Sequence, residues 1–145
     1  MDITPADPSQ LTNQWGVPFV GVHDKTLSCP GQKDWSGRKP DSAEAAEDVG
    51  PTSFQIGLLM IDKIALIRVS AEVVTKIYQE VRQQSPFPHT LMFTLANHRI
   101  GYIVDDAAYD LGKHEARMAA LKKGCGETSI VNGLLDLMRQ YEQKP

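Results

Sequence analysis

The pattern of apolar and polar positions changes near residue 53 of this chain. From Phe54 onward, two branched apolar runs, FQIGLLMI and IALIRVS, stand on either side of Asp62 and Lys63. Two such runs around a two-residue polar break predict a β-hairpin. The second run is nearly continuous in apolar residues, which is typical of a strand covered on both faces.

A helix and another strand are predicted next. Residues 72–84 predict a helix, because five apolar residues lie there at helical spacing: Val73, Val74, Ile77, Tyr78 and Val81. The SPFP segment that follows ends the helix. The apolar run HTLMFTLA at 89–96 predicts a strand, so strand, helix and strand form a βαβ unit. Residues 105–112 predict one short helical turn, whereas residues 115–121 fit either helix or strand.

The two ends of the chain differ in their predicted secondary structure. Residues 128–143 predict a closing helix, because seven apolar residues lie on one side of it: Ile130, Val131, Leu134, Leu135, Leu137, Met138 and Tyr141. Residues 1–52 hold six of the nine prolines and no sustained apolar periodicity, which predicts loop or extended chain, partly disordered. We therefore predict an α/β fold over residues 53–145, with a mixed sheet, a βαβ unit, a C-terminal helix and an irregular N-terminal third.

Length and composition limit the classes of function. The chain has 145 residues, which suits one domain, and its net charge of -3 with scattered Lys and Arg argues against nucleic-acid binding. It contains no apolar run long enough to span a bilayer, and its first residues lack the pattern of a signal peptide. Cys29 and Cys125 could pair, but two thiols do not make a disulfide framework, and the compartment stays open.

Polar residues follow both strands of the predicted βαβ unit. Because parallel strands end at the same edge of a sheet, Glu72, after the first strand, is expected near Asn97, His98 and Tyr102, after the second. A carboxylate, an imidazole and a phenol are groups that bind metals or transfer protons. The alternatives are structural: Glu72 compensates a helix dipole, His98 is solvated, and Tyr102 belongs to the core.

At these residues the sequence resembles a known family. Residues 56–110, followed by GCGETSIVNGLLDLM, resemble the C-terminal part of the catalytic domain of neutral/alkaline, non-lysosomal ceramidases. The matching features are a small-residue-Glu step after the hairpin, a helix closing on SPF, a "LAN…GYI" strand, and the final helix. TLSCPG at 26–31 is similar to the preceding segment of some members, so the likeness runs in order over residues 26–138.

The resemblance implies a zinc-dependent amidase that cleaves ceramide, or a related N-acyl lipid, to sphingosine and a fatty acid. It places the family's zinc-binding glutamate on Glu72 and its zinc-binding tyrosine on Tyr102. It also places the substrate-polarising tyrosine at or near His114, and Asn97 and His98 beside them are candidate substrate-binding residues. A membrane surface would be met only through the lipid substrate, and family members are often secreted or membrane-associated.

The family's two histidine ligands and its serine region lie upstream of everything in this chain. The resemblance therefore implies a fragment that is inactive alone, needs a complementing chain, and exposes apolar surface that favours self-association. Two alternatives stay open. The chain is a non-enzymatic binding or interaction module derived from the family, or it rebuilds a metal site from Glu72, His98 and His114.

Overall fold

The computed structural model describes residues 19–33, 48–61 and 63–142. Its strands are β1 (Phe19–Gln32), β2 (Asp48–Ile61), β3 (Ile64–Val69), β4 (Glu72–Val73), β5 (His89–Phe93) and β6 (Tyr102–Ile103). Its helices are α1 (Thr75–Gln84), α2 (Asp106–Asp110), α3 (His114–Arg117) and α4 (Gly126–Glu142). One sheet has the order β1-β2-β3-β5, and β4 and β6 form a second pair.

The hairpin and the βαβ unit are confirmed. Strands β2 and β3 pair antiparallel from Ile56↔Val69 to Ile61↔Ile64, and the predicted polar break joins them. After α1, strand β5 pairs parallel to β3, from Ile64↔His89 to Arg68↔Phe93. The larger sheet is therefore mixed, and the predicted α/β class with a C-terminal helix is confirmed.

Strand β1 occupies part of the N-terminal region in which the sequence predicted no strand. It pairs antiparallel with β2 over most of its length, from Phe19↔Ile61 to Gln32↔Asp48. Its sequence is polar and contains Pro30, both of which an edge strand tolerates because one of its sides makes no ladder hydrogen bonds. Residues 48–52 of the predicted irregular region begin β2. Residues 1–18 and 34–47 lie outside the described residues.

The main core lies between one face of the sheet and two helices, α1 and α4. Alternate residues of β2 and β3 point into it and are almost fully buried: Phe54, Ile56, Leu58, Met60, Ala65, Ile67 and Val69. From α4, the buried residues include Ile130, Leu134, Leu135 and Met138. Gly133 lets α4 approach the sheet, since a Cβ there would stand 2.6 Å from Ile56 Cδ1.

The other sheet face is more open than the sequence predicted for β3. Ala65, Ile67 and Val69 are buried, but Leu66 and Arg68 between them are only partly buried. The prediction of a strand covered on both faces was therefore wrong within the described residues. The continuous apolar run arose because β3 presents apolar side chains to the open face as well as to the core.

A disulfide between Cys29 and Cys125 joins β1 to the residue before α4, with a Cα–Cα distance of 5.8 Å. The pairing that the sequence left open is therefore made in this structure. Ser129 Oγ lies 3.4 Å from Cys125 Sγ and 3.6 Å from Cys29 Sγ. In the described ranges, no helix has the length and apolar character that a membrane crossing requires.

A smaller core lies around the β4–β6 pair, where Val104, Ala108, Ala116 and Ala119 pack together. The predicted short turn at 105–112 is α2. The ambiguous segment 115–121 holds the end of α3 and two isolated bridges, from Ala119 to Tyr102 and from Leu121 to Gly31.

Helix α1 begins at Thr75 and not at Glu72 as the spacing predicted. The β-branched Val73 and Val74 favour extended backbone. The carbonyl oxygens of Gly101 and Ile103 accept hydrogen bonds from the N–H groups of Glu72 and Val74, which holds this backbone extended. Glu72 therefore lies in a strand, and its predicted alternative role as a dipole-compensating residue of this helix falls away.

Candidate functional site

Glu72 and Tyr102 stand side by side on adjacent parallel strands. They are register partners in the β4–β6 pair, and the Glu72 N–H donates to Gly101 O at 2.9 Å. Neighbouring strands lie about 4.8 Å apart, so partner side chains project to the same face within reach of one another.

The carboxylate holds the proton on the phenol. The hydrogen bond to Glu72 raises the pKa of Tyr102 above its ordinary value, and the negative charge of Glu72 and partial burial act in the same direction. Glu115 raises this pKa further, whereas Arg99 lowers it. The metal-free pair is therefore a neutral phenol that donates to a carboxylate.

A short loop after β5 fixes the approach of the two strands. Its backbone follows the end of β3: Leu95 N–H donates to Ala71 O at 2.9 Å, and Ile100 N–H donates to Ser70 O at 3.2 Å. Leu95 has a φ of 57°, a left-handed conformation that is uncommon for a branched residue and costs about 1–3 kcal/mol. The hydrogen bonds of this loop hold it in place beside the pair.

Asn97 and His98 lie on that loop, but not between Glu72 and Tyr102. Both are exposed, and both line a depression of about 360 Å³ whose floor includes the buried Ser70. Ser70 Oγ accepts the Gln55 N–H at 2.7 Å. The predicted neighbourhood therefore divides into a Glu72–Tyr102 pair and an adjoining polar depression, and a substrate-binding role for Asn97 and His98 stays a prediction.

His114 begins α3, the helix that packs against β6, and its side chain is exposed. The next residue, Glu115, is close enough to act on the Tyr102 pKa. Helix α3 thus borders the Glu72–Tyr102 pair. A residue that acts on a substrate at this pair would need such a position, and the role of His114 stays a prediction. Sequence reasoning missed Arg99 and Glu115, because only the tertiary placement of α3 and the loop brings them to Tyr102.

The pair offers two oxygen donors to a metal. Among residues 19–33, 48–61 and 63–142, no three His, Cys, Asp or Glu side chains converge on one point, so the alternative set of Glu72, His98 and His114 is not assembled. Carboxylate and phenolate oxygens suit a divalent cation, and the register pairing puts the two side chains on one face of the β4–β6 pair. A catalytic zinc normally takes three protein ligands, so this pair fits part of such a site.

Comparisons with known proteins bear on the fold. No protein-family model matches the chain, and neither does any curated protein. A solved structure described as a ceramidase complexed with C2 superposes with a TM-score of 0.59 at 17% identity, covering 74% of this chain and 19% of the other. The neutral ceramidase from Pseudomonas aeruginosa superposes with a TM-score of 0.60 at 12% identity, covering 88% and 30%.

The fold is ceramidase-like. At these identities the likeness extends to the fold alone, and the chain spans less than a third of either neighbour's length. The expected resemblance to ceramidases is thus supported in architecture.

Proposed function

We propose that this chain forms part of the catalytic domain of a ceramidase-type amide hydrolase and contributes two ligands to its zinc site. The observation that carries the proposal is the pairing of Glu72 with Tyr102 in register on adjacent parallel strands. The ceramidase-like fold and the sequence motifs support it independently. The substrate class is an N-acyl lipid such as ceramide, and the products are an amine and a fatty acid.

Zinc bound here would supply a Lewis acid that activates water for attack on an amide carbonyl. The chain's own contribution begins with the proton on Tyr102. Because the phenol is protonated and donates to Glu72, a cation must displace that proton to reach both oxygens. Arg99 lowers the Tyr102 pKa and so favours this release. The remaining ligands come from outside the described residues, in a complementing part of the domain.

The residues around the pair are placed to handle the substrate. His114, at the exposed start of α3, is the candidate donor of a hydrogen bond to the amide carbonyl. Asn97 and His98 line the adjoining depression, where their side chains can hydrogen-bond to hydroxyl or amide groups of the lipid head.

The test is a zinc titration of the purified chain. Tyrosinate formation during the titration is monitored by ultraviolet difference absorption. We expect weak binding that releases the Tyr102 proton, with loss of the tyrosinate signal in Tyr102→Phe and loss of zinc binding in Glu72→Gln. Glu80→Gln, the same substitution on α1, is the matched control and should bind as the parent does. A titration with no tyrosinate signal, or one that Glu72→Gln leaves unchanged, would contradict the proposal.

Hydrolysis of a fluorogenic ceramide, assayed on the same samples, separates this proposal from a binding module. The chain alone should show no turnover, because two ligands do not hold a catalytic zinc. Absence of zinc binding would favour the non-enzymatic module, in which Glu72 and Tyr102 serve only structure. Zinc-dependent turnover by the chain unaided would show that no further ligands are needed.

A further inference from the structure

A groove crosses the open face of the four-stranded sheet, on the side away from α1 and α4. Its volume is about 510 Å³, within the range of about 300–1,000 Å³ that is usual for small-molecule sites. Residues from β1, β2, β3, β5 and the following loop line it: Asp24, Leu59, Leu66, Arg68, Phe93 and Asn97. Its walls are mainly apolar, and one guanidinium lies among them.

Arg68 has hydrogen-bonding capacity that its neighbours do not use. Its Nη2 lies 2.7 Å from Asp24 Oδ1, and the Arg68 side chain is only 17% exposed. The Arg68 Nη1 is buried, and no acceptor for it occurs among residues 19–33, 48–61 and 63–142. A buried donor without an acceptor is unfavourable, and the low local dielectric makes the missing hydrogen bond worth more when it forms.

Gly57 makes room for this arrangement. A Cβ on Gly57 would stand 2.5 Å from Asp24 Oδ1 and 2.6 Å from Arg68 Nε, so the ion pair lies directly over the backbone of β2. On the other side of Arg68, its register partner Phe93 is 54% exposed and lines the same groove. The guanidinium therefore lies between the backbone of β2 at Gly57 and the side chain of Phe93, which is more than half exposed.

An apolar path leads away from the guanidinium. Leu66 is the register partner of Leu59 on one side and of Leu91 on the other. Ile64, two residues before Leu66 on β3, lies on the same face of the sheet. Leu91 is 50% exposed, and Ile64 is also exposed. From Arg68 to Ile64 the path is about 13 Å long, at about 3.3 Å per residue.

We propose that this groove binds a single acyl chain whose carbonyl or carboxylate oxygen accepts a hydrogen bond from Arg68 Nη1. The alkyl chain lies along Leu59 and Leu66, beside Phe93. The unmet hydrogen bond selects the head group, because Arg68 Nη1 needs an acceptor, which a carbonyl or carboxylate oxygen supplies and a quaternary ammonium lacks. The charge of the guanidinium is already offset by Asp24. The site lies on the four-stranded sheet, needs no metal, and does not rest on the proposed hydrolase function.

The test is isothermal titration with decanoate, decanamide and decyltrimethylammonium in the presence of a metal chelator. We expect decanoate and decanamide to bind once per chain and the ammonium compound not to bind. Arg68→Met, which keeps an apolar stem, should weaken decanoate binding about 10- to 100-fold, the usual effect of losing a hydrogen bond to a charged group. Arg139→Met, which removes an arginine from an exposed ion pair on α4, should leave binding unchanged.

Two further measurements keep the result decisive. Asp24→Asn removes the competing carboxylate, so it should strengthen decanoate binding more than decanamide binding. Should Arg68→Met fail to unfold cooperatively, the Arg68 Nη–H resonances of the parent chain are followed instead, and decanamide should shift them.

Equal binding of decanoate and decyltrimethylammonium, or binding unaffected by Arg68→Met, would overturn the proposal. A dimer in sedimentation that Phe93→Glu dissociates and decanoate does not would also overturn it, because a second copy would then cover this face.

Discussion

Reducing the Cys29–Cys125 disulfide should remove several kcal/mol of stability. The bond joins residues 96 positions apart, so it closes a loop that includes most of the described sheet and helices. In the chain-entropy account, a loop of about 100 residues gains about 4.7 kcal/mol from restriction of the unfolded chain. Small domains have a total unfolding free energy of about 5–15 kcal/mol, so the disulfide contributes a large share.

The disulfide also joins two elements that pack together in the folded chain. It ties the edge strand β1 to the start of α4, the helix that covers one face of the sheet. Urea unfolding, with and without reductant, measures the effect as a lower midpoint. The Cys29→Ser/Cys125→Ser double variant should match the reduced parent and be insensitive to reductant.

Two controls define the outcome. Ser129→Ala removes the hydroxyl that lies near both sulfurs and should cost no more than about 1 kcal/mol, the net worth of an ordinary hydrogen bond. Thiol titration confirms that reduction is complete. A fully reduced chain whose urea midpoint equals that of the oxidised chain would refute the reasoning, since the cross-link would then restrict nothing in the unfolded state.

Four further predictions concern the site, the core and the groove. In the metal-free chain, Glu72→Ala should lower the Tyr102 pKa, measured by ultraviolet titration of tyrosinate, because the hydrogen bond that raises it is lost. Since that pKa is raised in the folded chain, the stabilisation is present below the unfolded value of about 10 and should disappear as pH rises through the folded value; urea midpoints against pH test this. Leu134→Ala, at a fully buried position of α4, should cost about 3–5 kcal/mol in chemical unfolding. Gly57→Ala should cost about 1–3 kcal/mol in the same assay, because its methyl group must displace the ion pair above it.

The central part of the fold could be predicted because its signals are local. Apolar runs around the Asp62-Lys63 break predicted the hairpin, and helical spacing before SPFP predicted α1. Strand β1 could not be predicted in this way, because its polar sequence and Pro30 do not reveal that β2 pairs with it across the sheet. The sequence placed the start of α1 three residues early. Helical spacing carries no information on the carbonyl oxygens of Gly101 and Ile103, which accept hydrogen bonds from Glu72 and Val74 and keep this segment extended.

The pairing of Glu72 with Tyr102 followed from one topological rule, that parallel strands end at the same edge of a sheet. The rule carries no information on loop conformation, so it could not show that Asn97 and His98 line a depression together with Ser70. Nor could it find the unmet donor on Arg68, which depends on the placement of Asp24 from β1, two strands away.

The hydrogen bond that defines the candidate site also limits how it binds a cation. Without a metal, Tyr102 keeps its proton, because its hydrogen bond to Glu72 raises the pKa of the phenol. A metal that uses both oxygens must release this proton, so the affinity of the chain for zinc should rise with pH. Tyr102→Phe removes the phenol oxygen and its proton together. The zinc affinity that remains in this variant should therefore lose the part of the pH dependence that comes from release of the phenol proton. The pair is therefore stable without a metal, and further ligands from a complementing part of the domain would be needed to tip it toward the bound form.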